Sequence, residues 1–408
     1  MRLPGRGFRS IDRVDDSVQQ PRRPGRPGRM VGRVFGIPLY VNASMLVLAA
    51  LVTVVYGNYV RTELGLPGPV GYAIGLGFVA CLLGSVLLHE LGHAVTARRY
   101  GIGVRGITLE LLGGWTEMDR DAPTPRIDAL VSLAGPAVSL VIGGVGAAAA
   151  FALPDRTVVG QIAFQLAASN IIVAFFNVLP GLPLDGGRAL RAGVWALIKD
   201  RDRATEVAGW AGRGIALVTA GVVFTLYRLD LLTVFGLAFV LLVVFTLWQS
   251  AGQSIRLARM TRRFPLVDLR SLARPLFAVP TGTPLAEAQR RAAEDERTDP
   301  VPALAVADSS GRIVALVDPV GAGRVPVERR PWVAVDTVAR GVDGLSAMPV
   351  GLTGEQVVRA VQAHPGAQYL VTSGEDVVGV LHVADLATVL EPRRAGRRTP
   401  PVRDARAE

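Results

Sequence analysis

Cysteine is nearly absent. Cys81 stands alone among 408 residues, which excludes an intrachain disulfide and a metal cluster built on thiolates. Charge is scarce as well: 19% of residues are Asp, Glu, Lys or Arg against 50% apolar, and mean hydropathy is +0.37. That balance excludes an ordinary soluble enzyme of this size and predicts membrane spans. The lone thiol is expected to pack between helices.

The charge present has one dominant sign. The net +10 is almost wholly arginine, scattered over the termini and between apolar runs rather than gathered on one face. This fits the positive-inside pattern and argues against nucleic acid as a partner. No cleavable signal segment is expected, because about forty mostly polar residues precede the first apolar run. Residues 1–33, which contain RRPGRPGR, are expected to be a disordered basic tail drawn to anionic membrane lipid.

Six apolar runs approach the roughly twenty residues that cross a ~30 Å hydrocarbon core, near 41–58, 69–97, 128–153, 161–180, 212–228 and 231–250. The fourth is interrupted by Pro180, Pro183 and Gly186–Gly187. A broken helix in a membrane must be buried in protein or line a cavity, and such places tend to be functional. The basic ends and loops (the N-terminal tail, 98–127, 188–213 and 256–263) alternate with short, nearly uncharged ones. Both termini are therefore expected in the cytosol.

After residue 263 the pattern turns soluble, with short strands, Pro/Gly turns and amphipathic helices. Two units recur, about 277–318 and 350–386, each with a helix followed by two strands and with SSGR or SGED as the hairpin signal. The expected division is a tail over 1–33, a membrane domain over 34–255, a linker over 256–273, the paired units over 274–390, and a second disordered tail over 391–408.

The chemistry-bearing stretch is LLHELGHAV at 87–95. His89 and His93 are four apart on a helix, so one ion can take both imidazoles, and Glu90 lies beside them as a candidate base. Left unliganded, a carboxylate and two rings inside an apolar span would be costly. A third ligand must come from elsewhere. Glu110, Glu117 and Asp119 on the next loop are candidates, but Asp185, at the broken end of the fourth span in FFNVLPGLPLDGGRALR, is the stronger one.

Those two stretches resemble the site-2 protease family of intramembrane zinc metalloproteases. HELGH and Asn177-x-x-Pro180-x-x-x-Leu184-Asp185-Gly186 match its two signatures in the family's order. The resemblance implies that His89, His93 and Asp185 hold one Zn2+ and that Glu90 is the catalytic base. Asn177 is a candidate oxyanion donor or substrate clamp, or else it satisfies the backbone of the broken helix. LAGPAVS at 133–139 is similar to the family's small-residue segment, where Gly135 and Ala137 would let helices approach closely. The stretch 104–118 resembles the family's re-entrant β-element, which could add a substrate strand by backbone pairing; from its residues alone it is equally a plain hairpin.

The paired units resemble tandem cystathionine-beta-synthase (CBS) domains, which in many proteins bind adenine nucleotides. Gly379 and Asp385 fit the ribose pattern, but His382 stands where Thr or Ser is usual. Asp318 occupies the hydroxyl position of the first unit, which lacks the terminal acid. These departures weigh against a nucleotide and for a structural, homodimerising or docking module. His364 and His382 are expected to be surface or packing residues.

The expected fold is thus a polytopic α-helical membrane protein with a C-terminal α+β CBS pair. The expected function is zinc-dependent hydrolysis of a peptide bond in or near a transmembrane segment of a membrane protein. The family resemblance implies a membrane-anchored regulator, such as an anti-sigma factor, as substrate. A CBS-tailed transporter would explain the spans and tail but not a metal site completed by Asp185. A silent scaffold would not need Glu90.

Overall fold

The computed structural model describes residues 28–110, 113–154, 157–294, 302–342, 345–374 and 376–391. The chain divides into two compact units, one over 25–259 and one from 260 onward.

The first unit opens with a hairpin, β1 (Arg29–Val34) and β2 (Ile37–Val41), followed by helices α1 (Ala43–Leu64) and α2 (Gly68–Arg99). A second hairpin follows, β3 (Val104–Glu110) and β4 (Gly113–Met118). Then come α3 (Pro125–Ala152), α4 (Val158–Val178), α5 (Asp185–Ile198), α6 (Arg201–Arg228) and α7 (Val234–Thr261). Among the described residues six helices are long and apolar enough to cross a membrane: α1, α2, α3, α4, α6 and α7. Apolar side chains such as Leu140, Val145, Phe175 and Phe224 face outward, as a lipid-facing surface requires.

Glycines set how closely these helices pack. A Cβ on Gly75 would lie 2.5 Å from the Thr53 carbonyl oxygen of α1, and one on Gly92 would lie 2.9 Å from that of Ala134 on α3. Small residues let backbones approach where lipid supplies no hydrophobic drive for association. Cys81 does not take part. It is exposed on α2, contrary to its expected place between helices, because a helix apolar on every side does not encode which side faces lipid. Ala137 likewise faces outward.

The two hairpins form one sheet in the order β1-β2-β3-β4, with β2 and β3 parallel and the other pairs antiparallel. Residues 29–33 of the stretch read as a disordered tail therefore belong to a strand. Phe35 and Gly36, both at positive φ, turn that strand back onto the apolar IPLYV of β2. The rest of the expected tail, 1–27, lies outside the described residues, as does 392–408.

The basic stretch 188–213, read as a loop, is helical over most of its length. It holds most of α5, an amphipathic helix, and the start of α6, capped by the Asp200 side chain on Arg203 N at 2.9 Å. The break between α4 and α5 is packed against α6, with Leu182 N donating to Ala208 O at 3.0 Å. A Cβ on Gly212 would strike the Leu182 carbonyl. Gly181 and Leu182, at the centre of the break, are thus buried in protein, while Pro180 and Pro183 beside them are exposed and have no N–H to satisfy.

The second unit begins with the short helix α8 (Leu269–Leu272) and β5 (Leu276–Pro280), then α9 (Leu285–Glu294), β6 (Ala303–Ala307), β7 (Ile313–Val317) and α10 (Pro319–Arg324). It continues through β8 (Ala339–Gly341) and β9 (Ala347–Pro349) to α11 (Gly354–Ala363), β10 (Gln368–Ser373), β11 (Asp376–His382) and α12 (Val383–Leu390). Each half reads strand, helix, hairpin, helix. The halves make two sheets, β5-β6-β7-β8 and β11-β10-β9, joined by a shared core that includes Ala305, Leu316, Leu370 and Val380. This is the CBS-pair arrangement expected from the repeats. Val267, Leu269 and Ala273 are buried in the second half's core, so much of the expected linker is part of the tail domain.

The ligand pattern of the tail is engaged internally. Arg274 donates from Nε and Nη2 to the two Asp385 carboxylate oxygens, both at 2.7 Å, and the pair holds Asp385 below the usual carboxylate range. Asp318 caps α10 through Val320 N and pairs with Arg340 at 3.0 Å. A Cβ on Gly379 would lie 2.5 Å from the Arg274 carbonyl oxygen, so packing alone requires glycine there. His382 is 7% exposed, and its Nε2 has no hydrogen-bond partner. Burial, with the neighbouring Arg274 charge, pushes its pKa below 6.5.

A depressed histidine pKa has a definite consequence for stability. Above about pH 6.5 the ring is neutral in both folded and unfolded chains, and no penalty arises. As pH falls below 6.5 the unfolded chain takes up a proton that the folded one refuses, so stability declines toward the folded pKa. Protection factors of β10 and β11 amides in the full-length protein, corrected for intrinsic exchange, are expected to fall as pH drops below about 6.5, and His382→Leu is expected to flatten that dependence. An unchanged profile in the variant would assign the acid sensitivity to another group.

Candidate metal centre

His89 and His93 project from one face of α2, buried to 5% and 4% exposure. Asp185, in the first turn of α5, meets them across the 179–184 break. Its Oδ2 lies 3.2 Å from His89 Nε2 and 3.1 Å from His93 Nε2, and the two Nε2 atoms are 3.3 Å apart. The residues are 96 and 92 positions apart in sequence. Of the described His, Cys, Asp and Glu residues, only these three form a cluster able to hold a metal ion.

The chemistry of this triangle calls for a cation. His93 Nδ1 is 2.7 Å from the Val131 carbonyl oxygen, which can only accept, so Nδ1 carries the proton. A neutral His93 then points the lone pair of Nε2 at a carboxylate oxygen. With His89 in the same tautomer, its Nδ1 donating to Ser139 Oγ, the lone pairs of both Nε2 atoms and of Asp185 Oδ2 would converge on one point, as ligands of a cation do. Their 3.1–3.3 Å spacing matches the edge of a tetrahedron with metal–nitrogen bonds of about 2.0–2.1 Å, which is roughly 3.3 Å. The donor set and its spacing fit zinc.

The rings are fixed from behind by α3. His89 Nδ1 lies 2.9 Å from Ser139 Oγ, and Val131, Gly135 and Ser139 recur every four residues, mirroring the spacing of the two histidines. Gly135 lies between the imidazoles: a Cβ there would be 2.2 Å from His93 Nε2 and 2.6 Å from His89 Nε2. The same helix is tied to α5. Asp128, 1% exposed, accepts from Arg191 Nε at 2.9 Å and Nη2 at 2.7 Å, six residues beyond Asp185. A buried pair of this kind is costly to break because one charge is left unpaired, so it holds α5, which carries Asp185, against the helix that fixes the two imidazoles.

Glu90 is 5% exposed and lies under β4. Thr116 Oγ1 donates to Glu90 Oε2 at 2.7 Å. A Cβ on Gly114 would lie 2.8 Å from Glu90 Cγ. Gly114 and Thr116 share one face of the strand by the period of two, so the backbone of β4 passes directly over the acid. Beyond β4 the sheet has no further strand among the described residues.

The other sequence candidates lie elsewhere. Glu110 accepts from Trp115 Nε1, Glu117 pairs with Arg105, and Asp119 accepts from Gly103 N. Asn177, half-buried in the last turn of α4, has no side-chain hydrogen bond among the described residues, so it does not satisfy the broken helix's backbone. Sequence reading missed Ser139, Val131, Thr116 and the Asp128–Arg191 pair. The four-residue recurrence opposite HELGH was the available signal for the first two.

Two imidazoles, one carboxylate and an adjacent acid, brought together by the membrane-spanning α2 and by α5 beyond the break, have the make-up of a membrane metallohydrolase centre. The family model for Peptidase family M50 matches residues 77–169. A curated relative named "Putative zinc metalloprotease Rip3", from Mycobacterium tuberculosis, is 32% identical over 91% of this chain and 94% of its own length. Among solved structures, the chain is similar to a site-2 protease from Methanocaldococcus jannaschii at 24% identity and a TM-score of 0.41, covering 56% of this chain and 95% of that one. It is also similar to the CBS-domain containing protein ATU1752 from Agrobacterium tumefaciens at 13% identity and a TM-score of 0.23, covering 30% and 88%. The chain belongs to peptidase family M50. It is a zinc-dependent intramembrane protease carrying a CBS pair.

Proposed function

We propose that His89, His93 and Asp185 hold the zinc, that Glu90 moves the proton, and that the substrate is a membrane-anchored protein cut where its transmembrane segment is unwound. The observation that carries this reading is the convergence of three lone-pair donors at 3.1–3.3 Å one residue from a buried acid. When bound, zinc supplies Lewis acidity that polarises the scissile carbonyl and acidifies a water.

The remaining work falls to the chain. Glu90 takes the water's proton and returns it to the leaving amine. Thr116 holds one carboxylate oxygen of Glu90, leaving the other for the proton. Asn177, its amide without another partner among the described residues, donates to the oxyanion or clamps the substrate. The open edge of β4 offers N–H and C=O groups to an extended segment, which solves the problem that a peptide bond inside a helix is shielded. Burial of the site limits bulk water.

Both termini face the cytosol of a cell membrane in this reading, and an anti-sigma-like regulator is the substrate class that the family resemblance supplies. The tail's internally paired Asp385 favours a docking, homodimerising or modulating role over nucleotide sensing. The experiment is cleavage of a single-span reporter by purified protein in proteoliposomes. Chelation is expected to stop cleavage and added zinc to restore it. Cleavage that persists in chelator would remove the metal from the mechanism.

Thr116→Val is expected to lower kcat roughly ten- to a hundredfold with little change in KM, since a hydrogen bond to a charged group is worth about 1.5–3 kcal/mol. Thr116→Ser is expected to restore most of the rate. A loss confined to KM would place Thr116 in substrate pairing instead.

A further inference from the structure

Arg213 sits inside a membrane-spanning helix and has no counter-ion among the described residues. It lies fifteen residues before Arg228, the end of α6, which is about 22 Å at 1.5 Å per residue. With a ~30 Å core, its Cα falls within the hydrocarbon, about a turn or two inside the boundary at the Arg201 end. Neither a carboxylate nor a carbonyl pairs with the guanidinium among the described residues, and its Nε is buried with no partner. Glu206, the acid two turns earlier, is taken by Arg259. A charge in this position is expensive unless an anion or the interface reaches it.

The surroundings form a slot. The guanidinium carbon lies 4.9 Å from the ring centroid of Trp210 on α6 and 4.8 Å from that of Trp248 on α7. Gly252 leaves the room: a Cβ there would lie 2.9 Å from Arg213 Nη2. Indoles that cover a guanidinium's faces leave its N–H donors free in the plane, in the fork that suits phosphate. Neither indole N–H has a partner among the described residues, and tryptophans of this kind mark headgroup depth. On α7 the exposed Phe245 and Leu241 continue the face of Trp248 at three- and seven-residue spacing, which gives an acyl chain an apolar track. Exposed Arg203 and Arg256 at the same end add a positive field.

We propose that Arg213, between Trp210 and Trp248, binds the phosphate of an anionic glycerophospholipid in the leaflet at the Arg201 end of α6. The site is separate from the zinc ligands and does not depend on the proteolytic reading. Free phosphate shares the headgroup's chemistry but has no chains to lie along Phe245 and Leu241.

The test is native mass spectrometry of full-length protein, stripped of lipid in neutral detergent and titrated with phosphatidylglycerol. Wild type is expected to retain phosphatidylglycerol in preference to phosphatidylcholine, and millimolar inorganic phosphate should not displace it. Arg213→Gln is expected to bind about tenfold more weakly, the scale of one charged hydrogen bond, with its zinc content unchanged as evidence of folding. Arg228→Gln, exposed at the opposite end of α6, should bind as wild type does. Undiminished binding by Arg213→Gln would overturn the proposal. So would equal retention of phosphatidylcholine, or displacement by inorganic phosphate, which would make the slot a site for the free ion.

Discussion

Glu90→Gln is expected to slow cleavage of a membrane-embedded reporter by about a hundred- to ten-thousandfold, the range associated with a positioned general base, while leaving zinc bound. The two halves of this result have separate causes. Glutamine has nearly the shape of glutamate and can still accept from Thr116, whose hydroxyl lies 2.7 Å from Glu90 Oε2, so the packing beneath β4 is kept. It cannot take a proton from water. Zinc retention should survive because Glu90 is not among the three clustered donors. Cleavage at the wild-type rate would sink the assignment of the base, and loss of zinc would mean that Glu90 belongs to the ligand set.

Gly135→Ala is expected to lose zinc at least tenfold and cleavage with it, although alanine is the better helix former by about 1 kcal/mol. The added Cβ would stand 2.2 Å and 2.6 Å from the two ligand nitrogens, well inside any tolerated contact. The rings cannot simply swing away. Each is tied at Nδ1, His93 to the Val131 carbonyl and His89 to Ser139, so relief on one side breaks a hydrogen bond on the other and spoils the convergence with Asp185. Gly144→Ala on the same helix, where a Cβ meets nothing within 4 Å, is the control and should retain both properties. Helical content by circular dichroism separates loss of the site from loss of the fold. Normal zinc in Gly135→Ala would show that α3 does not press on the ligands as described.

The parts of this site that were legible in the sequence are those written in local spacing. His89 and His93 are one helical turn apart, and the Pro180 to Gly187 cluster announces a broken helix whose far side carries Asp185. Six spans followed from run length, and the paired tail units from their repetition. What was not legible depends on contacts between distant segments. The strand β1 was hidden in a basic, Gly-rich stretch because its partner among the described residues, β2, is joined in turn to β3 through a parallel pairing of residues 39–41 with 107–109. Thr116 becomes functional only when β4 crosses α2. Cys81 and Ala137 could not be oriented, since lipid accepts any apolar face. Val267, Leu269 and Ala273 read as a linker because they are short apolar insertions among polar residues, yet the tail's core takes them up.

The central claim is that Asp185 completes a zinc site begun by His89 and His93. Zinc per chain, measured by elemental analysis of purified full-length wild type, Glu90→Gln and Asp185→Ala after dialysis against a weak chelator, tests it most directly. About one zinc is expected in the first two, as one tetrahedral site requires, and less than about a tenth of that in Asp185→Ala, because two imidazoles alone fall short of the three protein ligands such sites use. Full zinc in Asp185→Ala would contradict the account and send the search for the third ligand elsewhere.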